Sequence, residues 1–173
     1  MQRKPVKHSL CSRRQWLAMA AASPLALAAC SKEQSASAPD LPFTTLDGKT
    51  HRVSDLKGEV TLVNFWATSC STCVKEMPEL VATHQKFQAQ GYRTLAVAMS
   101  YDPPAYVMQF AESRQLPFHV AIDHTGDLAK GFGDVQLTPT SFLLDKQGRI
   151  VKRYVGAPDF AALHQLIGEL LRA

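Results

Sequence analysis

Cys70-Ser71-Thr72-Cys73 follows the apolar run Val60-Thr61-Leu62-Val63-Asn64-Phe65-Trp66, so two thiols fall on the first turn of an expected helix, just past the end of a strand. Unpaired N–H groups and the macrodipole at a helix start favour a thiolate over a thiol. Two intervening residues let the second cysteine resolve a mixed disulfide formed on the first. The spacing therefore points to disulfide exchange. The same residues could form half of a zinc site or a bracing bridge. A four-ligand zinc site needs a second Cys/His pair at comparable spacing, and no such pair follows.

The remaining cysteines, Cys11 and Cys30, lie in a segment with a different purpose. Residues 1–14 carry Arg3, Lys4, Lys7, Arg13 and Arg14 and no acid, and an apolar run over residues 16–29 follows. Basic, then apolar, then small residues is the order of a secretory signal. At 14 residues, with Pro24 inside it, the run is short of the roughly 20 needed to cross a bilayer. Leu27-Ala28-Ala29-Cys30 resembles the lipobox of bacterial lipoproteins, which implies cleavage after residue 29 and lipidation of Cys30. Ser12-Arg13-Arg14-Gln15-Trp16-Leu17 resembles a twin-arginine export signal. The expected organisation is a signal peptide over residues 1–29, a lipidated flexible tether over 30–38, and one domain over 39–173. An exported domain whose last two cysteines sit in one C-x-x-C has no disulfide framework to maintain.

Cleavage also changes the charge. Of 19 Lys+Arg and 15 Asp+Glu, the signal removes five basic residues and no acid, leaving 14 against 15. A net charge near zero leaves no electrostatic footprint for nucleic acid. The Ser/Ala-rich stretch over residues 31–39 has almost nothing to bury.

The patterns that must position the cysteines alternate in type. A short hairpin is expected around the Asp47-Gly48 turn, followed by a helical turn ending at Gly58 and a central strand over Val60–Trp66. From Cys73, apolar residues recur at Val74, Met77, Leu80, Val81, His84 and Phe87, a helical spacing that stops before Gly91. A second buried strand is expected over residues 94–100. Pro103-Pro104 opens a helix expected to pack Tyr106, Val107, Phe110 and Ala111 on one face. A strand at Val120-Ala121-Ile122, a short helix over residues 128–132, a hairpin about Lys146-Gln147-Gly148 and an amphipathic helix over 160–171 complete an α/β sheet with helices on both faces. Met77, Met99 and Met108 read as core filling.

With C-x-x-C after one strand and Thr138-Pro139-Thr140 before another, the chain resembles the TlpA/ResA group of membrane-attached, periplasm-type thiol–disulfide oxidoreductases. Trp66-Ala67-Thr68 before the motif, Glu76-Met77-Pro78 after it, a long segment over residues 101–125 and the closing Leu144-Asp145-Lys146-Gln147-Gly148 hairpin carry the likeness. The resemblance implies a thioredoxin fold with an N-terminal β-hairpin and an inserted αβ segment, built on a mixed central sheet. It implies Cys70 as the attacking thiolate and Cys73 as the resolving thiol. Trp66, Thr138 and Pro139 are expected on the substrate-binding side, with Pro139 in the cis form and Thr138 offering a backbone edge. Pro78 is expected to kink the active-site helix.

Glu76 matches an acid that the group places near its cysteines. Three residues after Cys73 it shares a helical face, where a carboxylate could accept the proton Cys73 must lose. Asn64 stands where cytosolic thioredoxins carry a buried aspartate, and an amide cannot shuttle that proton; on its own it reads as a buried amide paired with backbone. Ser69 replaces the bulky aromatic residue that many members have before the first cysteine.

The expected activity is thiol–disulfide exchange, reducing disulfides of extracytoplasmic proteins. The resemblance suggests apocytochrome c or copper-protein cysteines as substrates and a membrane thiol electron donor. No cofactor beyond the Cys70–Cys73 pair is expected, and the domain is expected to act as a monomer. Two other classes stay open. A thiol peroxidase shares the fold, but its Pro-x-x-x-Thr/Ser-x-x-Cys pattern meets Val63 and Ala67 here. Two soft thiolates with His119 or His124 would suit copper.

Overall fold

The computed structural model describes residues 36–173. The expected signal, the twin-arginine pair and Cys30 lie outside them. Among the described residues no helix is long and apolar enough to cross a membrane.

The sheet is assembled around β3 (Val60–Trp66), every residue of which is buried. It pairs in parallel with β4 (Tyr92–Ala98) and antiparallel with β6 (Thr140–Leu144). Beyond these lie β5 (His119–Ile122) and β7 (Ile150–Val155), giving the order β5-β4-β3-β6-β7. A separate hairpin, β1 (Pro42–Thr44) and β2 (Thr50–Arg52), precedes the sheet. The mixed sheet fits the expected fold class, because the two parallel crossovers place helices against it.

Alternation along β3 divides the core. Leu62 and Trp66 join a cluster with Met77 and Leu80 of α1 (Ser71–Phe87), Val107 of α2 (Pro104–Ser113), and Leu163 and Ile167 of α4 (Phe160–Arg172). Val63 and Phe65 face the opposite way, toward Phe43 of the hairpin, Leu56, and Leu128 of α3 (Asp127–Gly131). A strand buried on both faces is apolar at nearly every position, which is why period-two alternation is invisible in its sequence.

Local chemistry sets the ends of α1. Cys70 is its N-cap, and its sulfur accepts the backbone N–H of Cys73 at 3.2 Å. Gly91, at φ 93°, closes the 3-10 turn that follows the helix, a backbone setting that glycine adopts without steric cost. The helix runs continuously through Pro78, which lies on its exposed side. Asp159 caps α4 by accepting the N–H groups of Ala161 and Ala162.

Three expectations change. The end of the presumed tether is tied down: Ile150 donates its N–H to Ala36 at 2.8 Å, and Ala38 donates to Gly148 at 2.9 Å. The first residue of edge strand β7 and the turn before it offer free backbone groups, and the backbone of these small residues pairs with them. The exposed face of α2 holds Tyr106 and Met108, 61% and 54% exposed, where a packed tyrosine and a core methionine were expected. Only Val107 of that helix is buried, because the short helix meets the sheet through a narrow stripe.

Candidate active site

Cys70 and Cys73 form a disulfide with Cα atoms 5.2 Å apart, where the loop after β3 turns into α1. The two sulfurs are inequivalent. Cys70 is half-buried, whereas Cys73 is wholly buried beneath it. An incoming nucleophile or disulfide therefore meets Cys70 first. When the pair is reduced, the Cys73 N–H and the positive end of a 17-residue helix stand at the Cys70 sulfur and favour its thiolate.

The loop preceding the motif is clamped from another element. Asp102, in the connection between β4 and α2, is 2% exposed and accepts both the backbone N–H and the hydroxyl of Thr68, each at 2.6 Å. This bidentate contact fixes the chain two residues before Cys70. An acid just before Pro103-Pro104 gave only a faint sign of this role in the sequence.

On the other side stands the loop entering β6. The Thr138–Pro139 peptide is cis, and the Thr138 carbonyl oxygen lies 3.5 Å from the Cys70 sulfur. Pro139 is buried and its carbonyl accepts the Gly156 N–H at 2.8 Å, tying the loop to the end of β7. The Tyr101 hydroxyl lies 3.4 Å from that of Thr138, and Leu137 beside it is 65% exposed. The Thr138 carbonyl thus stands at the Cys70 sulfur, with Pro139 next to it in the chain.

Trp66 does not reach the surface. It is 0% exposed and packs against Phe110 of α2 with ring centroids 5.0 Å apart. The expectation that it contacts substrate is corrected, because as the last residue of a two-sided buried strand it points into the core under α2. It supports the cysteine loop from below.

Glu76 lies one helical turn beyond Cys73 and is 4% exposed. Its Oε1 accepts the Asn64 side-chain N–H at 3.0 Å, and Asn64 donates its second amide hydrogen to Ser141 Oγ at 2.9 Å. The Asn64 amide is therefore buried but paired with side chains, not with backbone. Burial raises the carboxyl from its ordinary 4.5 to about 7, against the opposing pull of the Asn64 amide. A group poised there can exchange a proton near neutral pH. Ser141 carried no sequence signal.

Among the described residues no group of three or more His, Cys, Asp or Glu is placed to hold a metal ion. His119 begins β5, at the end of the parallel strands away from the cysteines, with its ring centroid 5.7 Å from that of His51. His124 follows β5 and lines a cleft with Leu41 and Phe43.

Comparison with known proteins yields a consistent picture. A family model described as Redoxin matches residues 33–167. The chain is similar to the thiol-disulfide oxidoreductase ResA of Geobacillus thermodenitrificans, 37% identical over 119 residues, which cover 69% of this chain and 67% of that one. The solution structure of a Neisseria meningitidis protein assigned as a thioredoxin superposes with a TM-score of 0.74 at 41% identity, over 79% of this chain and 91% of the other. The crystal structure of an exposed lipoprotein thioredoxin from Streptococcus pneumoniae superposes with a TM-score of 0.67 at 28% identity, over 76% of this chain and 100% of the other.

Proposed function

The chain belongs to the redoxin family and is a ResA-like thiol–disulfide oxidoreductase, and from that premise we propose that it works as a reductant of protein disulfides outside the cytoplasm. The observation that carries the exchange chemistry of this reading is the unequal burial of Cys70 and Cys73 at the start of α1, beside the Thr138 carbonyl.

In the proposed cycle the Cys70 thiolate attacks one sulfur of a substrate disulfide. A Cys70–substrate bond forms, the substrate S–S bond breaks, and the other substrate sulfur leaves as a thiolate that takes a proton from solvent. Cys73 then transfers its proton to the Glu76 carboxylate and attacks the Cys70 sulfur. The Cys70–Cys73 bond forms, the Cys70–substrate bond breaks, and the second substrate thiolate leaves and is protonated. Two electrons pass from the enzyme dithiol to the substrate. Thr138 and Pro139 line the approach to Cys70. A membrane thiol donor would restore the dithiol, and cysteines of apocytochrome c or of copper proteins are the suggested substrates.

Attachment through a lipid on Cys30 belongs to the same reading, and the lipoprotein thioredoxin among the solved relatives supports it. The chain enters the described domain alongside Gly148 and Ile150, next to the β6–β7 turn. Cys70 sits by Thr138, just before the opposite end of β6.

The decisive experiment measures the reduction potential of the pair and its reaction with an oxidised Cys-x-x-Cys-His peptide. A potential near that of thioredoxin, about −270 mV, with two-electron reduction of the peptide is the expected result. A value near −120 mV, or no reduction of the peptide, would overturn the reductant role.

A further inference from the structure

We infer that Asn64 and Ser141 are positioning residues that set the proton affinity of Glu76 and fix which of its carboxyl oxygens carries the proton. The inference rests on the reading of Glu76 as the acceptor of the Cys73 proton.

The geometry is a chain of two bonds through one amide. Asn64 uses both hydrogens of Nδ2, one toward Glu76 Oε1 at 3.0 Å and one toward Ser141 Oγ at 2.9 Å. The pairing is possible because Asn64 and Ser141 are register partners on adjacent strands and their side chains share the face that α1 covers. All three side chains are buried: Asn64 and Ser141 are 0% exposed and Glu76 is 4%. Glu76 Oε2 has no protein hydrogen-bond partner among the described residues. Since Oε1 accepts the amide N–H, and a carbonyl oxygen is the better acceptor, the neutral acid keeps its proton on Oε2. The amide donates to Oε1 in both protonation states, more strongly to the anion. It therefore holds the proton affinity below the value that burial alone would impose. Ser141 restrains the amide plane, because an unheld amide could turn its oxygen toward the carboxylate and reverse the effect.

Other groups leave this control to the amide. Of the titratable residues on the elements packed against this face, Cys73 lies one turn before Glu76 on α1, Tyr154 is the β7 register partner of Ser141, and His164 belongs to α4. His164 is engaged further along α1 with Thr83 Oγ1 at 2.9 Å and Lys86 Nζ at 3.4 Å. Lys75 and Glu79 lie on the exposed side of α1. None of these makes a hydrogen bond to the Glu76 carboxyl, whose proton affinity responds to burial and to Asn64.

The test follows the Glu76 carboxyl by infrared difference titration of the reduced protein, with Glu76→Gln identifying its band. In parallel, the pH dependence of resolution of a small-thiol mixed disulfide on Cys70 is recorded. Asn64→Ala should move the Glu76 midpoint upward by about one pH unit or more. Ser141→Ala should move it the same way by less, and Ser141→Thr, which keeps the hydroxyl, should restore it. A purely packing role would lower the urea midpoint without moving the titration. An unmoved Glu76 midpoint in Asn64→Ala overturns the inference. Should that variant not fold, equal midpoints in Ser141→Ala and Ser141→Thr overturn it. If the infrared midpoint moves while the resolution profile is identical in wild type and Glu76→Gln, the positioning stands and the proton-acceptor reading of Glu76 falls.

Discussion

Asp102 accepts two hydrogen bonds from Thr68, one from its backbone N–H and one from its hydroxyl, across a sequence separation of 34 residues. The contact joins the loop after β4 to the loop that delivers Cys70, so the cysteine's position depends on an acid far from it in the chain. Asp102→Ala should cost about 1–3 kcal/mol in urea unfolding, the range for stranding buried donors. It should also slow alkylation of reduced Cys70, since the sulfur loses its fixed relation to the helix start. Asp102→Asn, which can face only one of the two donors with its oxygen, should fall between the two proteins.

Glu76 should make the disulfide form of the protein less stable as pH rises. Its folded value, about 7, lies above the ordinary 4.5 because of burial, so between those values the folded state holds a proton that the unfolded state has lost. Stability is therefore highest below about 4.5 as far as this group is concerned, falls across the interval, and levels off above about 7. Glu76→Gln should remove that slope from a series of urea midpoints while keeping the helix. A slope that survives the substitution would assign it to another group.

His84 should act in the opposite sense. It is 7% exposed, packed against Phe118 and Tyr92 with ring centroids 5.5 and 6.3 Å away. Burial first, then the nearby His119 and Arg93, lowers its proton affinity. A lowered folded value means the unfolded chain takes up the proton first, so stability present above about pH 6.5 is lost on acidification. His84→Phe should flatten the acid side of the stability profile, read as urea midpoints at several pH values.

Cys70 and Cys73 should separate by substitution. Cys73→Ser should accumulate a mixed disulfide between Cys70 and an oxidised peptide, visible by mass spectrometry. Cys70→Ser should trap little, because the remaining thiol is wholly buried. Equal trapping by both variants would contradict the assigned order of attack.

Trp66 should prove structural. Trp66→Ala should destabilise the fold by about 3–5 kcal/mol, as expected for an aromatic side chain removed from a core. Trp66→Phe should leave the KM for a peptide disulfide nearly unchanged, since the indole is sealed under Phe110.

The reactive chemistry and its local setting are legible in contiguous residues. The C-x-x-C spacing, the strand before it and the helical repeat after it are properties of contiguous residues, so hydrophobic period and helix-start chemistry suffice to read them. The alternation of strands and helices likewise fits the observed sheet. Tertiary structure decided everything that depends on register between distant segments. The pairing of Asn64 with Ser141, 77 residues apart, follows from β3 lying beside β6 in one register, and a shift of one residue would turn Ser141 to the other face. Burial of Trp66, exposure of Tyr106 and Met108, and the docking of Ala36–Ala38 on an open strand edge have the same origin. Each reflects which surface a neighbour covers, and that is settled only when the layers pack. The motif supplied two sulfurs, and the folded chain made them inequivalent and set a neutralisable acid beside them.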